Sequence, residues 1–503
     1  MALIAILLAG NVLTTELYTS VWCDEVMYSQ PAANQHFGMG FTSTSWAFQD
    51  KDAFWAGNAP MFSLLLCAWY KILGFGIYQT RALGYVIWAL AMFFFCLAVR
   101  RFGWVTKPGT LSLLVALSFF GYGATFAYRS GRYEPLAVLL VSLCLLAFSI
   151  KELRWRCAAI FLTSVFFLPT CLTLGPFCVI VGGLLLLTTR WKFFRELIAA
   201  GTGLAVGLGL LYIFYNHFGV WGDFLRAIRG NSSGYYNGEV YQKIHIGFAT
   251  ILARKSRDIL RVLVEDKSSV ILMLATGVIL MFRNKNAPVQ HPRLLAFNVL
   301  AFVFIPVGLL LFYAFPIYYW WMRYLLLCVL FVALAETLQL RIGVPARNFL
   351  IAVVLFATLS FGLPGRLLIA SLDLPERDYA RVDRFVSDAI KPGDIVYADY
   401  QAFYPLEKLK VRTYYAWYLV HITPQEAASV NCLIVSPQWL EGAEKKLGGS
   451  WHDTGQKYLN EPHFGIRILD RLMPHYFSQQ TNSKYNLAVY RRDDPTPKPS
   501  DEK

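Results

Sequence analysis

Two adjacent carboxylates, Asp24 and Glu25, follow the first apolar run of the chain. A carboxylate can accept the proton of a hydroxyl group that attacks an electrophile, and a positioned base of this kind contributes about 10²- to 10⁴-fold to a rate. An acidic pair at this place is also typical of a solvated turn or a helix cap. The pair alone therefore indicates either a general base or a structural cap.

A second group of charged residues, Arg129, Arg132 and Glu134, lies in a single turn. The planar fork of an arginine matches a phosphate, so the two arginines are candidates for binding one. Arginines at a membrane interface can equally snorkel, and a glutamate before proline can begin a helix. Arg323 lies in an aromatic run typical of an interfacial belt and is a third candidate for binding a phosphate.

Composition indicates a membrane protein. The 503 residues are 56% hydrophobic and 16% charged, with a mean hydropathy of +0.45. Runs such as Leu83 to Val99 are long enough to cross a bilayer as helices. The net charge of +14 comes from Lys and Arg that gather between apolar runs, which favours a role in topology and excludes nucleic acid as a partner. The nine cysteines show no spacing of metal ligands, and we interpret them as small hydrophobes.

Five basic connections must face the cytoplasm if Lys and Arg are retained there. This requirement predicts about eleven spans, near residues 1–20, 80–99, 109–127, 135–150, 157–171, 173–189, 197–216, 268–283, 294–315, 319–340 and 348–366. It also predicts that the apolar segment Ala59 to Gly74 lies at the interface without crossing, because a further span there would turn every later basic connection outward.

The sequence predicts two domains. An all-α polytopic membrane domain covers residues 1–366, with loops on the far side of the membrane at about 20–79 and 217–267. A soluble α/β domain covers 367–490, because an amphipathic helical pattern from Tyr379 to Ile390 precedes short β-rich runs, and a polar tail at 491–503 is expected to be disordered.

The order of features in the first loop carries a resemblance to a known family. The acidic pair is followed by Tyr28, then by Asn58 with Ala and Pro at the start of an apolar helix, and then by Gly-Phe-Gly and Arg81. This order resembles the dolichyl-phosphate-mannose protein mannosyltransferase superfamily and its bacterial aminoarabinose transferase relatives, which share the GT-C membrane fold. The resemblance covers about the first 190 residues in order, and the later spans in pattern only.

The resemblance implies a glycosyltransferase that moves a sugar, with inversion, from a polyprenyl-phosphate donor to a hydroxyl group of a protein, lipid or glycan acceptor. The reaction would take place at the bilayer of a bacterial inner membrane, on the periplasmic side. No cofactor is required, and a divalent cation is left open. The implied site has Asp24 as base with Glu25 beside it, the donor phosphate on Arg129, Arg132, Arg323 or Lys51, and a pocket that includes Glu134, Tyr28, Asn58 and Arg81.

One position departs from the family pattern. Relatives commonly place His or Lys before the proline that starts the interfacial helix, whereas this chain has Asn58-Ala59-Pro60. A phosphate contact made by that basic residue would have to come from Lys51 or from an arginine of another loop.

Two other functions remain open. A transporter or flippase for lipid-linked sugars should carry ionisable residues or helix breaks deep in two related halves, and the sequence shows neither clearly. An O-antigen ligase or polymerase, which acts on diphosphate-linked glycans, would share the charge pattern.

Overall fold

The computed structural model describes residues 1–46, 50–189, 191–232, 266–282, 320–337, 343–416, 422–461, 463–472 and 485–493. Most of these residues are helical. The helices up to the C-terminal region, numbered in order among the described residues, are α1 Ala2–Leu13, α2 Cys23–His36, α3 Met61–Leu73, α4 Ile77–Arg101, α5 Pro108–Phe120, α6 Tyr122–Arg129, α7 Glu134–Ala147, α8 Leu153–Val165, α9 Phe167–Thr170, α10 Leu174–Thr189, α11 Phe194–His217, α12 Trp221–Ser232, α13 Lys267–Met281, α14 Trp320–Thr337, α15 Gly343–Phe361 and α16 Leu363–Ala370.

Three helical ranges among the described residues are long and apolar enough to cross a membrane, namely Ile77–Arg101, Phe194–His217 and Gly343–Ala389. The pair α5 and α6, bent by 60°, would make a fourth. Further helices close to predicted spans, such as α1 and α7, are apolar but shorter. The chain is therefore a helical membrane protein. The count of eleven spans stays a prediction, and the span predicted at 294–315 lies outside the described residues.

The bend between α5 and α6 falls at Gly121, whose backbone is extended. A Cβ atom there would lie 1.8 Å from the hydroxyl oxygen of Tyr324 in α14. Because no side chain fits at this distance, the close approach of α14 requires glycine. Arg129 is the last residue of α6, and Arg132 lies in the turn that follows it.

Helix α3 occupies the segment that was predicted to lie at the interface. Its buried side chains Phe62, Leu66 and Tyr70 recur every fourth residue, so they form one face that packs toward α2 and α4. The helix ends at Leu73 and is capped by Gly74, which has a φ of +79°. The placement of α3 at the interface stays a prediction.

The C-terminal region contains a five-stranded mixed sheet. Its strand order is β2-β1-β3-β5-β4, with β1 parallel to β2 and β3, and β5 antiparallel to β3 and β4. The α/β pattern predicted for this region is present. Its elements are α17 Leu374–Arg377, α18 Tyr379–Ala389, β1 Ile395–Ala398, α19 Phe403–Lys408, β2 Arg412–Tyr415, α20 Pro424–Ser429, β3 Cys432–Val435, α21 Leu440–Leu447, β4 Trp451–Tyr458, α22 Phe464–Leu472 and β5 Leu487–Arg492. The tail predicted to be disordered lies, from residue 494, outside the described residues.

The C-terminal region shares a hydrophobic core with the first loop. Val26 and Ala33 of α2 and Ile77 of α4 are buried in one cluster with Val382 and Phe403. The first loop also lies along the edge of the sheet, where the Thr44 hydroxyl donates a hydrogen bond to the carbonyl oxygen of Thr413 at 2.6 Å. Burial of apolar surface on both sides therefore fixes this region against the loop that carries the acidic pair.

Candidate functional site

The acidic pair lies in the first turn of α2, after an extended residue, Trp22. Successive residues of an α-helix point about 100° apart, so Asp24 and Glu25 face different surroundings. The Asp24 side chain is 18% exposed, whereas that of Glu25 is fully buried. The two carboxylates are therefore not equivalent, although they are neighbours in sequence.

Glu25 is held by a buried ion pair with Arg81. Nε of Arg81 donates to one carboxylate oxygen at 2.9 Å, and Nη2 donates to the other at 2.7 Å. Nη1 donates to the carbonyl oxygens of Thr15 and Thr19, beyond the end of α1. The hydroxyl of Tyr404, in α19, adds a third bond to the carboxylate at 2.8 Å. These contacts offset the cost of burying the Glu25 charge and leave it in a structural position.

The turn after α6 lies directly against Glu25. Gly131 has a φ of +61°, and a Cβ atom on it would meet Cγ of Glu25 at 2.7 Å. Both observations require glycine here, because other residues rarely adopt this conformation and none would fit. The packing fixes the turn, and with it the direction of the next residue, Arg132.

Arg132 lies between two acids. Its Nη1 is 3.4 Å from Oδ2 of Asp24, and its Nη2 is 2.5 Å from Oε1 of Glu134. The guanidinium also lies 5.4 Å from the ring centroid of Trp22 and 5.9 Å from that of Tyr133. Cation–π contacts and two carboxylates thus stabilise a buried cation beside the partly exposed Asp24.

Arg129, the last residue of α6, points toward α1. Its Nε donates to the Tyr18 carbonyl oxygen at 2.7 Å, Nη1 donates to the Asn11 side chain at 2.5 Å, and Nη2 donates to the Thr14 carbonyl oxygen at 2.5 Å. Every nitrogen of this fully buried guanidinium therefore donates to α1 or to the segment that directly follows it. In the described structure, Arg129 ties the first helix to the turn.

Tyr28 and Asn58 lie together beside this group. The Asn58 side chain donates to the Tyr28 hydroxyl at 2.8 Å, and the Tyr28 ring packs against the rings of Tyr133 and Trp46. Burial, and then the Asp24 carboxylate, raise the pKa of the Tyr28 phenol well above its usual range. Tyr28 is thus a protonated phenol near Asp24. The hydroxyl of Tyr215, in α11, donates to the Asn58 carbonyl oxygen and anchors this part of the loop.

The remaining candidates for binding a phosphate lie elsewhere. Lys51 contacts Asp52 and is 3.6 Å from Glu426 of the C-terminal region. Its described partners are therefore acids outside the group around Asp24. The side chain of Arg323 lies outside the described part of the structure.

The acidic pair does not present two carboxylates to one point, because Arg81 and Tyr404 contact both oxygens of Glu25. Within the described ranges, no group of three or more His, Cys, Asp or Glu side chains could hold a metal ion. A cation held jointly by Asp24 and Glu25 would need a different orientation of Glu25.

Sequence reasoning did not single out three residues that complete this group. Trp22 and Tyr133 stack around Arg132, and both lie next to residues that the sequence analysis had selected. Tyr404 contacts Glu25 across 379 positions of sequence. No local pattern could have indicated it, because the contact depends on how the C-terminal region packs.

Comparison with known proteins gives matches in structure only. No protein-family model and no curated protein sequence matches the chain. Similar solved structures include ArnT from Cupriavidus metallidurans bound to undecaprenyl phosphate, with 11% identity, a TM-score of 0.47 and 97% of each chain covered.

Two further similar structures are the arabinofuranosyltransferase AftD from Mycobacteria and the Archaeoglobus fulgidus oligosaccharyltransferase in complex with Zn and sulfate. AftD is 12% identical with a TM-score of 0.45, covering 98% of this chain and 40% of AftD. The oligosaccharyltransferase is 11% identical with a TM-score of 0.46, covering 88% of this chain and 69% of that one. All three are GT-C glycosyltransferases, the group that the sequence resembles.

Proposed function

We propose that the chain is an inverting membrane glycosyltransferase that uses a polyprenyl-phosphate sugar as donor and acts on the extracytoplasmic side of a bacterial inner membrane. The observation that supports this most directly is the pairing of a partly exposed carboxylate, Asp24, with a buried arginine, Arg132, 3.4 Å away. A base for the acceptor and a cation for the leaving phosphate are the two groups that the transfer needs.

Asp24 is the base in this proposal. The acceptor oxygen attacks the anomeric carbon, and its proton passes to the Asp24 carboxylate. The bond from the anomeric carbon to the phosphate oxygen breaks at the same time, and the phosphate leaves with the electron pair. Because a phosphate is already a good leaving group, one carboxylate is sufficient. A base contributes about 10²- to 10⁴-fold, and alignment of the two reactants contributes up to about 7 to 11 kcal/mol.

Arg132 is the first residue that we assign to the donor phosphate. A phosphate that arrives at its guanidinium would take over one of the two carboxylate contacts, and the 3.4 Å contact with Asp24 is the longer of them. Release of Asp24 in this way would couple donor binding to the freeing of the base. Arg129 acts in this proposal by holding the turn, while Lys51 and Arg323 stay candidates for the far end of the donor.

The proposal also assigns roles to the residues of the pocket beside Asp24 and to the two domains. Tyr28, Asn58 and Glu134 would contact the sugar or the acceptor, and Arg81 would hold the loop through Glu25. Residues 1–366 would form the membrane domain, and the region 367–490 would lie on the same side of the membrane as Asp24. The acceptor is a hydroxyl group on a protein, lipid or glycan. No cofactor is required, and a divalent cation stays open.

The test compares Asp24→Asn with Glu25→Gln. The full chain in lipid nanodiscs receives synthetic farnesyl-phosphate-linked mannose or aminoarabinose, with a membrane extract as the source of acceptors, and release of farnesyl phosphate is measured. Asp24→Asn should keep the fold and lower the release rate by roughly 10²-fold or more, because it removes only the proton acceptor. Glu25→Gln should lower stability while the folded fraction still transfers sugar.

Three outcomes would contradict the proposal, in whole or in part. No donor-dependent release by the unmodified chain with either sugar would reject the function in the form tested. Release by Asp24→Asn near the unmodified rate would reject the base, and an inactive, well-folded Glu25→Gln would reverse the roles within the pair.

A further inference from the structure

Helix α19 of the C-terminal region reaches the acidic pair of the first loop. It presents Tyr404 and Glu407, one helical turn apart, to α2. The hydroxyl of Tyr404 lies 2.8 Å from Oε1 of Glu25, and the side-chain nitrogen of Gln30 lies 2.9 Å from Oε1 of Glu407. Two buried polar contacts therefore join α19 to α2, the helix whose first turn carries Asp24.

The contact made by Tyr404 differs in kind from ordinary packing. Tyr404 is fully buried, and its ring packs against Phe75 and Tyr379. The phenol donates to a carboxylate whose other contacts come from Arg81, within the membrane helices. A hydrogen bond to a charged acceptor is stronger than one between neutral groups, so the bond adds a second restraint on Oε1 of Glu25, the oxygen that also accepts from Nε of Arg81.

The restraint extends to the neighbouring residue through the backbone. Glu25 packs against Gly131, and the residue after Gly131 is the arginine that contacts Asp24. A shift of the Glu25 side chain would therefore move the first turn of α2 and the turn with Arg132 relative to one another. Both sides of the pair formed by Asp24 and Arg132 rest on the position of Glu25.

We propose that Tyr404 is a positioning residue through which the C-terminal region aligns the first turn of α2 with Arg132. This inference rests on the proposed function, because it assigns Tyr404 an effect on the transfer step. Tyr404 acts through Glu25 and does not contact the reacting atoms. The C-terminal region then contributes a positioning residue to the site and does more than shield it from solvent.

The experiment removes only the phenol oxygen, with Tyr404→Phe in the full chain in nanodiscs. Tyr379→Phe is the matched control, because Tyr379 is a buried neighbour of the same cluster whose hydroxyl donates to a carbonyl oxygen within the C-terminal region, that of Gln401, at 2.7 Å. Release of farnesyl phosphate from the farnesyl-phosphate sugar that the unmodified chain uses best gives kcat and KM for the donor, and thermal unfolding gives stability.

Tyr404→Phe should lower kcat by about tenfold with KM for the donor within about twofold, since the bond to a charged group is lost while Arg132 stays. Tyr379→Phe should have a Tm similar to that of Tyr404→Phe and a kcat equal to that of the unmodified chain. An unchanged kcat in Tyr404→Phe would overturn the inference, and so would an equal fall in both variants, which would indicate packing alone. Failure of the unmodified chain to release farnesyl phosphate would instead reject the function itself, so the two failures are distinct.

Discussion

The two faces of the first turn of α2 contrast sharply, although each carries one carboxylate. On one face Glu25 is sealed between Arg81, Tyr404 and Gly131, with hydrogen bonds to both of its oxygens. On the other face Asp24 keeps some solvent exposure and a single, longer ion pair. A carboxylate that is fully bonded can stabilise the fold, whereas one with a long contact can exchange that contact for a substrate. The difference shows that two adjacent carboxylates can have different roles, one in stabilising the fold and one in contacting a substrate.

The largest effect that would test this contrast is the loss of stability expected for Glu25→Gln. The variant leaves the buried guanidinium of Arg81 without a carboxylate, and loss of one partner of a buried ion pair costs about 3 to 5 kcal/mol. Thermal unfolding of the detergent-solubilised chain measures the change. Glu152→Gln is the matched control, because its pair with Arg154 is exposed, at 62% and 79%, and such pairs contribute about 1 kcal/mol or less. Equal shifts in Tm for both variants would break the contrast.

A second effect separates the two arginines of the turn. Arg132→Gln should weaken binding of farnesyl phosphate by roughly tenfold to a hundredfold, because a hydrogen bond to a charged group contributes about 1.5 to 3 kcal/mol. Arg129→Gln should mainly lower Tm, because Arg129 donates to α1 and to the segment that directly follows it. Equilibrium binding of radiolabelled farnesyl phosphate to each variant distinguishes them. Weaker binding for Arg129→Gln than for Arg132→Gln would reverse the assignment.

The smallest effect concerns the second polar contact between α2 and α19. Burial raises the pKa of Glu407 to about 7, from a usual value of 4.5, against the hydrogen bonds from Gln30 and Tyr415, which lower it. Between about pH 4.5 and pH 7, the Glu407 carboxyl group keeps its proton in the folded chain but loses it in the unfolded chain. The resulting stability is full below about pH 4.5 and is lost as the pH rises through 7, by up to about 2 kcal/mol between pH 5 and pH 7.

Glu407→Gln keeps a hydrogen-bonding side chain and removes the titration. Its Tm should therefore fall less than that of the unmodified chain when the pH is raised from 5 to 8. Glu441→Gln, at an exposed position in the first turn of α21, is the control and should retain the full dependence. The same slope in both variants would assign the pH dependence to other groups.

Much of the helical architecture was predictable, because it depends on local patterns. The helices near 80–99 and 197–216 appear as Ile77–Arg101 and Phe194–His217, and the predicted helix from Tyr379 appears as Tyr379–Ala389. Apolar run length and the 3.6-residue period are properties of neighbouring residues, so they can be read from a sequence. The break at Gly121 was not predicted, because it depends on Tyr324, about two hundred residues later.

For the candidate site, the sequence predicted which residues take part but not how they are arranged. Asp24, Arg132 and Glu134 were selected from residue type and spacing, and the structure brings these three together. The same reasoning placed Arg129 and Lys51 with the phosphate, whereas their described partners are α1 for Arg129 and acidic side chains for Lys51. These assignments stay predictions, since a guanidinium near a membrane looks the same in sequence whether it holds a helix or a ligand.

The sequence by itself determined that this protein is a helical membrane chain, that an α/β region follows the last apolar runs, and that acids and arginines meet near the first loop. These features follow from run length, periodicity and charge, which are local. Only the tertiary structure decided which carboxylate is sealed and which is accessible, because that depends on Arg81, Gly131 and Tyr404, which come from three distant segments. Burial and hydrogen bonding are set by what packs against a side chain, and the residue type alone does not specify it.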